Sequence, residues 1–143
     1  MAALVAVSPA LAVSPDVVVS EVYGGGGNAG ATYTHDFVEL FNRGTETVSL
    51  AGWSVQYASA SGTTWQVTPL GGTIEPGEHY LVQQAAGAGG TVPLPTPDAI
   101  GSISMSGTSG KVALSTAGTA LPCGGDCDTD AAVRNFVGYG TAN

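Results

Sequence analysis

Asp36-Phe37-Val38-Glu39-Leu40-Phe41-Asn42-Arg43-Gly44 decides the fold of this chain. Its side chains alternate at the period of an extended strand, with Phe37 and Phe41 on one side and Val38 and Leu40 on the other. Apolar residues on both sides predict a central strand within a two-layer structure, because a half-solvated strand would show one polar face. Glu39 shares the face of Phe37 and Phe41. If that face is buried, its carboxylate requires donors, such as backbone N–H groups or the Trp53 indole, since an unpaired buried charge is costly. Arg43-Gly44-Thr45-Glu46 then turns the chain.

The same period recurs on both sides of this segment. Val17–Tyr23 reads as a strand, followed by a flexible glycine loop over Gly24–Gly30. Thr47–Leu50 is short and extended, and Trp53, Val55 and Tyr57 alternate with polar residues. Thr63–Val67 repeats that alternation. Glu75-Pro76-Gly77-Glu78 places Pro and Gly where a type II turn needs them, with Gly supplying the positive φ. His79–Gln84 follows as a strand, Ala85–Gly101 is loose, and strands return at Ser102–Met105, Lys111–Ser115 and Val133–Tyr139. About eight or nine short strands at this spacing predict an all-β sandwich. A helical bundle is excluded by 22 Gly, 8 Pro and few charged helix formers. With 143 residues and no internal repeat, the chain is one domain, residues 14–143, behind a leader of residues 1–13.

The segment Asp36–Gly44, followed by Val48-Ser49-Leu50-Ala51-Gly52-Trp53-Ser54-Val55, resembles the lamin-tail domain family, in its bacterial secreted type. The likeness continues through Gly72-Thr73-Ile74-Glu75-Pro76-Gly77, Tyr80-Leu81-Val82 and Gly110–Leu114. The resemblance implies an immunoglobulin-like β-sandwich, non-catalytic in use, of the kind found beside extracellular nucleases or phosphatases or on cell-surface proteins. The Ala-rich leader and the stretch Cys123–Asp130 fall outside the family pattern.

Composition narrows the partners. A formal net charge of −8, with only Arg43, Lys111 and Arg134 as fixed cations, excludes a phosphate-binding stripe and so argues against nucleic acid. Anionic membrane surfaces are disfavoured for the same reason. Residues 1–13 are apolar but too short to span a bilayer, and Ala10-Leu11-Ala12 has the small-residue pattern of a signal cleavage site. They read as the trailing part of a secretion signal, or alternatively as a disordered leader. Export agrees with a local disulfide between Cys123 and Cys127, whose separation with two intervening glycines permits one; free thiols or a partner cysteine elsewhere are the alternatives.

No catalytic constellation emerges. Asp36 and Glu39 point to opposite faces of their strand, so with His35 they read as polar groups flanking a core strand. No Gly-x-Ser-x-Gly elbow occurs, and Gly24–Gly27 lacks the Lys-Ser/Thr ending of a phosphate loop. Asp126, Asp128 and Asp130 alternate and, in a curved loop, would converge on calcium, although Ala131 and Val137 stand where an EF-hand needs Gly and Glu. The alternative is a solvated acidic loop pinned by the disulfide. Tyr33, Tyr57, Trp65 and Tyr139 are candidates for a carbohydrate platform, against the simpler reading as core. Val13, Val17, Val18 and Val19 are candidates for a strand added to a neighbouring copy's sheet edge. Three functions follow: a secreted non-enzymatic module for protein or surface attachment, a subunit of an extracellular filament, or an accessory domain of a secreted nuclease or phosphatase.

Overall fold

Short strand-forming segments recur along the chain, and the computed structural model, which describes residues 14–143, orders them as ten strands. They are β1 (Val17–Tyr23), β2 (His35–Asn42), β3 (Val48–Ser49), β4 (Ser54–Ala58), β5 (Gln66–Pro69), β6 (Thr73–Ile74), β7 (His79–Ala86), β8 (Ala99–Ile100), β9 (Gly110–Ser115) and β10 (Val133–Tyr139). One sheet has the order β1-β2-β7-β8, the second β10-β9-β4-β5, and β3 pairs with β6 as a small ribbon. All pairings are antiparallel except β7 with β8. The fold is the immunoglobulin-like β-sandwich that the sequence predicts.

β2 is central, as its two apolar faces require. Val38 and Leu40 point inward with Val17, Tyr80 and Val82, and meet Val55, Tyr57, Val112 and Leu114 of the second sheet. Burial of this cluster is the main stabilising term. Both faces of the second sheet's centre are covered as well. Ser54 and Gln56, polar positions of an alternating strand, are fully buried because residues 117–121 cross over them. Ser54 Oγ donates to the Ala117 carbonyl at 2.6 Å, Gln56 Nε2 donates to the Thr119 carbonyl at 2.8 Å, and Leu121 N donates to Gln56 Oε1 at 3.0 Å. Beneath that cover lies a second cluster of Ala58, Trp65, Ala113, Leu121, Cys127 and Val133.

Side chains close the two seams of the sandwich. Val19 N donates to Asn135 Oδ1 at 2.9 Å, joining β1 to β10, and Gln84 Nε2 donates to Thr68 Oγ1 at 2.9 Å, joining β7 to β5. The Pro76-Gly77 turn forms as its residue types demand: Glu78 N donates to the Glu75 carbonyl at 3.0 Å and Gly77 takes φ +77°.

Several expectations are corrected. Within the stretch Gly24–Gly30, expected as a flexible loop, Gly24–Gly27 is a packed crossing. A Cβ on Gly26 would lie 2.0 Å from the His35 carbonyl, and one on Gly27 2.2 Å from Gly87 N, so glycine is required for close backbone approach. Ser102–Met105 is extended but makes no ladder; Ile103 N and Met105 N donate instead to the side chains of Gln84 and Asp36. The strand in that region is Ala99–Ile100, inside the stretch expected to be loose. The strand expected at Thr63–Val67 forms further on, at Gln66–Pro69. Val17, Val18 and Val19, expected as a segment offered to a neighbour, pair with Asn42, Phe41 and Leu40 of their own chain, and Val17 is fully buried. Val13 and the leader lie outside the described residues.

Candidate interaction face

The outer face of β1, β2 and β7 gathers the chain's unusual side chains. Strict alternation from Val17 would send Glu21 inward. A register shift between Val19 and Glu21 takes Ser20 out of the alternation, so that Glu21 pairs with Glu39, Val22 with Val38 and Tyr23 with Phe37. Val22 thereby faces the core while Glu21 and Tyr23 face outward. On the other side of β2, Glu39 pairs with Leu81 and Phe41 with His79.

Glu39 therefore needs none of the buried donors that an inward face would demand. Its Oε1 accepts from the Ser20 hydroxyl at 2.7 Å and lies 2.9 Å from His79 Nδ1. Trp53, considered as its partner, sits elsewhere, with the Arg134 guanidinium 5.5 Å above its ring. Phe37 is covered on this face by aromatic neighbours: the Tyr23 ring stacks on it at 5.2 Å and 8°, and Tyr33 meets it edge-on at 5.7 Å. These rings hold the face rigid.

A cleft of about 310 Å³ opens beside this cluster. It is lined by Glu21, Phe37, Glu39 and Leu81 of β1, β2 and β7, by Tyr33, and by Leu94, Pro95 and Thr96, which form its rim outside the strands. The rim is tied down through Tyr33, which bridges to Val92, with Thr34 N donating to the Val92 carbonyl at 3.1 Å.

Asp36, on the inward face, has a structural task. Its Oδ1 accepts from Gly26 N at 2.6 Å and its Oδ2 from Met105 N at 2.7 Å, so one carboxylate fixes the glycine crossing to the 102–105 segment. Burial pushes its carboxyl above the ordinary value of 3.8, against the opposing pull of the Met105, Gly26 and Gly25 N–H groups. It is buried rather than a flank of the strand, and Glu39 lies on the opposite side.

Cys123 and Cys127 form a disulfide, with Cα atoms 5.2 Å apart. The three aspartates, weighed as calcium ligands against a solvated acidic loop, each have separate surroundings. Asp126 Oδ1 accepts from Gly124 N, Asp130 Oδ1 accepts from Ala132 N, and Asp128 lies in the first turn of a one-turn 3-10 helix, Cys127–Thr129. Among the described residues no three His, Cys, Asp or Glu side chains are grouped to hold a metal ion. The four aromatics weighed as a carbohydrate platform against the simpler core reading are spread out: Tyr57 and Trp65 are core, Tyr139 donates to the Ser106 carbonyl at 2.6 Å, and Tyr33 lines the cleft.

Of the cleft residues, the sequence marks only Tyr33 as a binding candidate; Glu39 and Phe37 read as structural parts of β2, and Glu21, Tyr23 and the Leu94–Thr96 segment are not singled out. A signal existed for Glu21 and Tyr23: Val19 and Val22 cannot both face the core in an unbroken strand, which marks the bulge. Among the described residues no helix is long and apolar enough to cross a membrane. The model of the lamin tail domain family matches residues 11–132, so the stretch Cys123–Asp130, expected to fall outside the family pattern, lies within the matched span. No curated protein gives a significant match.

Proposed function

This chain belongs to the lamin tail domain family, and on that premise we propose that it is a secreted, non-catalytic module that holds a protein partner against the outer face of β1, β2 and β7. The family is non-enzymatic, immunoglobulin-like and used for protein interaction. The observation that carries the finer reading is the cleft beside Phe37. It combines apolar walls with two carboxylates on a rigid sheet, the mixture of anchor and orienting groups that recognition sites use. Export is supported by the A-x-A leader and by the Cys123–Cys127 disulfide, since such bonds persist in oxidising compartments.

The test uses the full chain recovered from the extracellular medium of its host. The module elutes there in a complex larger than its own 14.1 kDa, and Leu94→Asp, which places a charge on the apolar rim, returns it to the monomer position without lowering its melting temperature. Elution of the unaltered chain as a free monomer, or a complex indifferent to Leu94→Asp, contradicts the reading.

A further inference from the structure

Glu21 and Glu39 stand directly opposite one another across β1 and β2. Like charges in that position weaken a sheet. Glu39 has Ser20 and His79 beside it, whereas the Glu21 carboxylate has no hydrogen bond or ion pair among the described residues. Two of the chain's three fixed cations, Lys111 and Arg134, are engaged elsewhere, and among the described residues no ion pair joins the third, Arg43, to either glutamate. Lys111 Nζ is turned to the Gly62 carbonyl at 2.7 Å and Asn143 Oδ1 at 2.8 Å, Arg134 lies over Trp53, and Arg43 is exposed in the turn after β2. Two carboxylates thus stand together on an aromatic-walled cleft, and among the described residues no lysine or arginine is paired with either.

Resting on the reading of this cleft as the docking face, we infer that it receives an arginine side chain from the protein partner. Two neighbouring carboxylates match the several N–H donors of a guanidinium, and the Tyr33 ring lines the same cleft, where planar guanidinium groups pack well against aromatic carbon. The net charge of −8 steers a basic segment toward the molecule. A neutral sugar is the poorer occupant, because the faces of Tyr23 and Phe37 are stacked on each other and Phe37 is only 6% exposed, leaving no flat ring on the floor.

The test is an NMR titration of the full chain with the blocked peptide Gly-Arg-Gly-Arg-Gly, and in parallel with its Gln-for-Arg analogue and a neutral oligosaccharide. The arginine peptide shifts the amides of Glu21, Tyr33, Glu39 and Thr96, and the analogue and sugar do not. Glu21→Gln with Glu39→Gln weakens that binding about tenfold or more, whereas removing the same charge at exposed Glu46 and Glu75 leaves it within about twofold. Shifts spread over the whole acidic surface, equal loss in both double variants, or cleft shifts from the sugar would overturn the assignment. If the cleft ignores the arginine peptide while Leu94→Asp still releases the partner, docking stands and the arginine assignment falls. If Leu94→Asp has no effect, the docking reading itself has failed.

Discussion

Single residues divide into those that hold the sandwich and those that load its surface. Asp36 belongs to the first kind. Removing its carboxylate by Asp36→Ala leaves Gly26 N and Met105 N without an acceptor, at a cost of about 2–4 kcal/mol in denaturant unfolding. Its titration works against folding on the alkaline side. The native pKa lies above the unfolded value of 3.8, so the folded state binds this proton more tightly, and the group's contribution to stability falls as pH rises through the window between the two. Asp16 has the opposite sign. Burial alone would raise its pKa, but the Ser14 hydroxyl, the Val17 N–H and Arg134 together outweigh it and leave the value below 3.8. Asp16 therefore adds stability above the ordinary carboxylate value, lost as pH falls through its lower native value. Melting curves across the acid range should show Asp16→Asn flattening that acid loss and Asp36→Asn removing the decline in the higher window. Glu21 belongs to the surface kind: relief of its repulsion with Glu39 predicts that Glu21→Gln leaves stability unchanged or raises it by about 0.2–1 kcal/mol.

Elements show where the sequence was legible and where it was not. β2, β7, β9 and β10 could be read because each carries enough alternating apolar residues to declare its faces. β3, β6 and β8 have two residues each, too few for a period to register, and β8 is set by its place beside β7 rather than by propensity. The glycine crossing was misread for a physical reason: a run of glycines serves equally a free loop and two backbones in contact, and only the partner, Gly87 with its neighbours, distinguishes them. Gly26→Ala should therefore destabilise by about 2 kcal/mol or more, unlike a glycine substitution in a free loop. The disulfide closes a short loop over the second apolar cluster, where Trp65 Nε1 donates to the Cys123 carbonyl at 2.8 Å. Chain-entropy arguments give about 2 kcal/mol for so small a loop, and the Cys123→Ser, Cys127→Ser double variant should lose about that much in urea unfolding.

At the scale of the molecule, two sheets with a doubly covered centre leave one face free to specialise. The second sheet is roofed by residues 117–121 and the disulfide loop, and polar side chains tie that roof to β4. The first sheet carries instead an aromatic cluster, a carboxylate pair and a cleft crossed by Leu94–Thr96. The fold was legible from Asp36–Gly44 outward because hydrophobic period determines it. The candidate face was only half legible, because it depends on a one-residue shift in β1 and on a distant segment folding back. The most direct test is a photo-crosslinking amino acid placed at Thr96 in the full chain, exposed to the extracellular medium of its host, with the same group at Glu75 as control. Docking at this face yields one discrete protein adduct from Thr96 and none from Glu75; adducts of equal yield from both positions, or from neither, would rule it out.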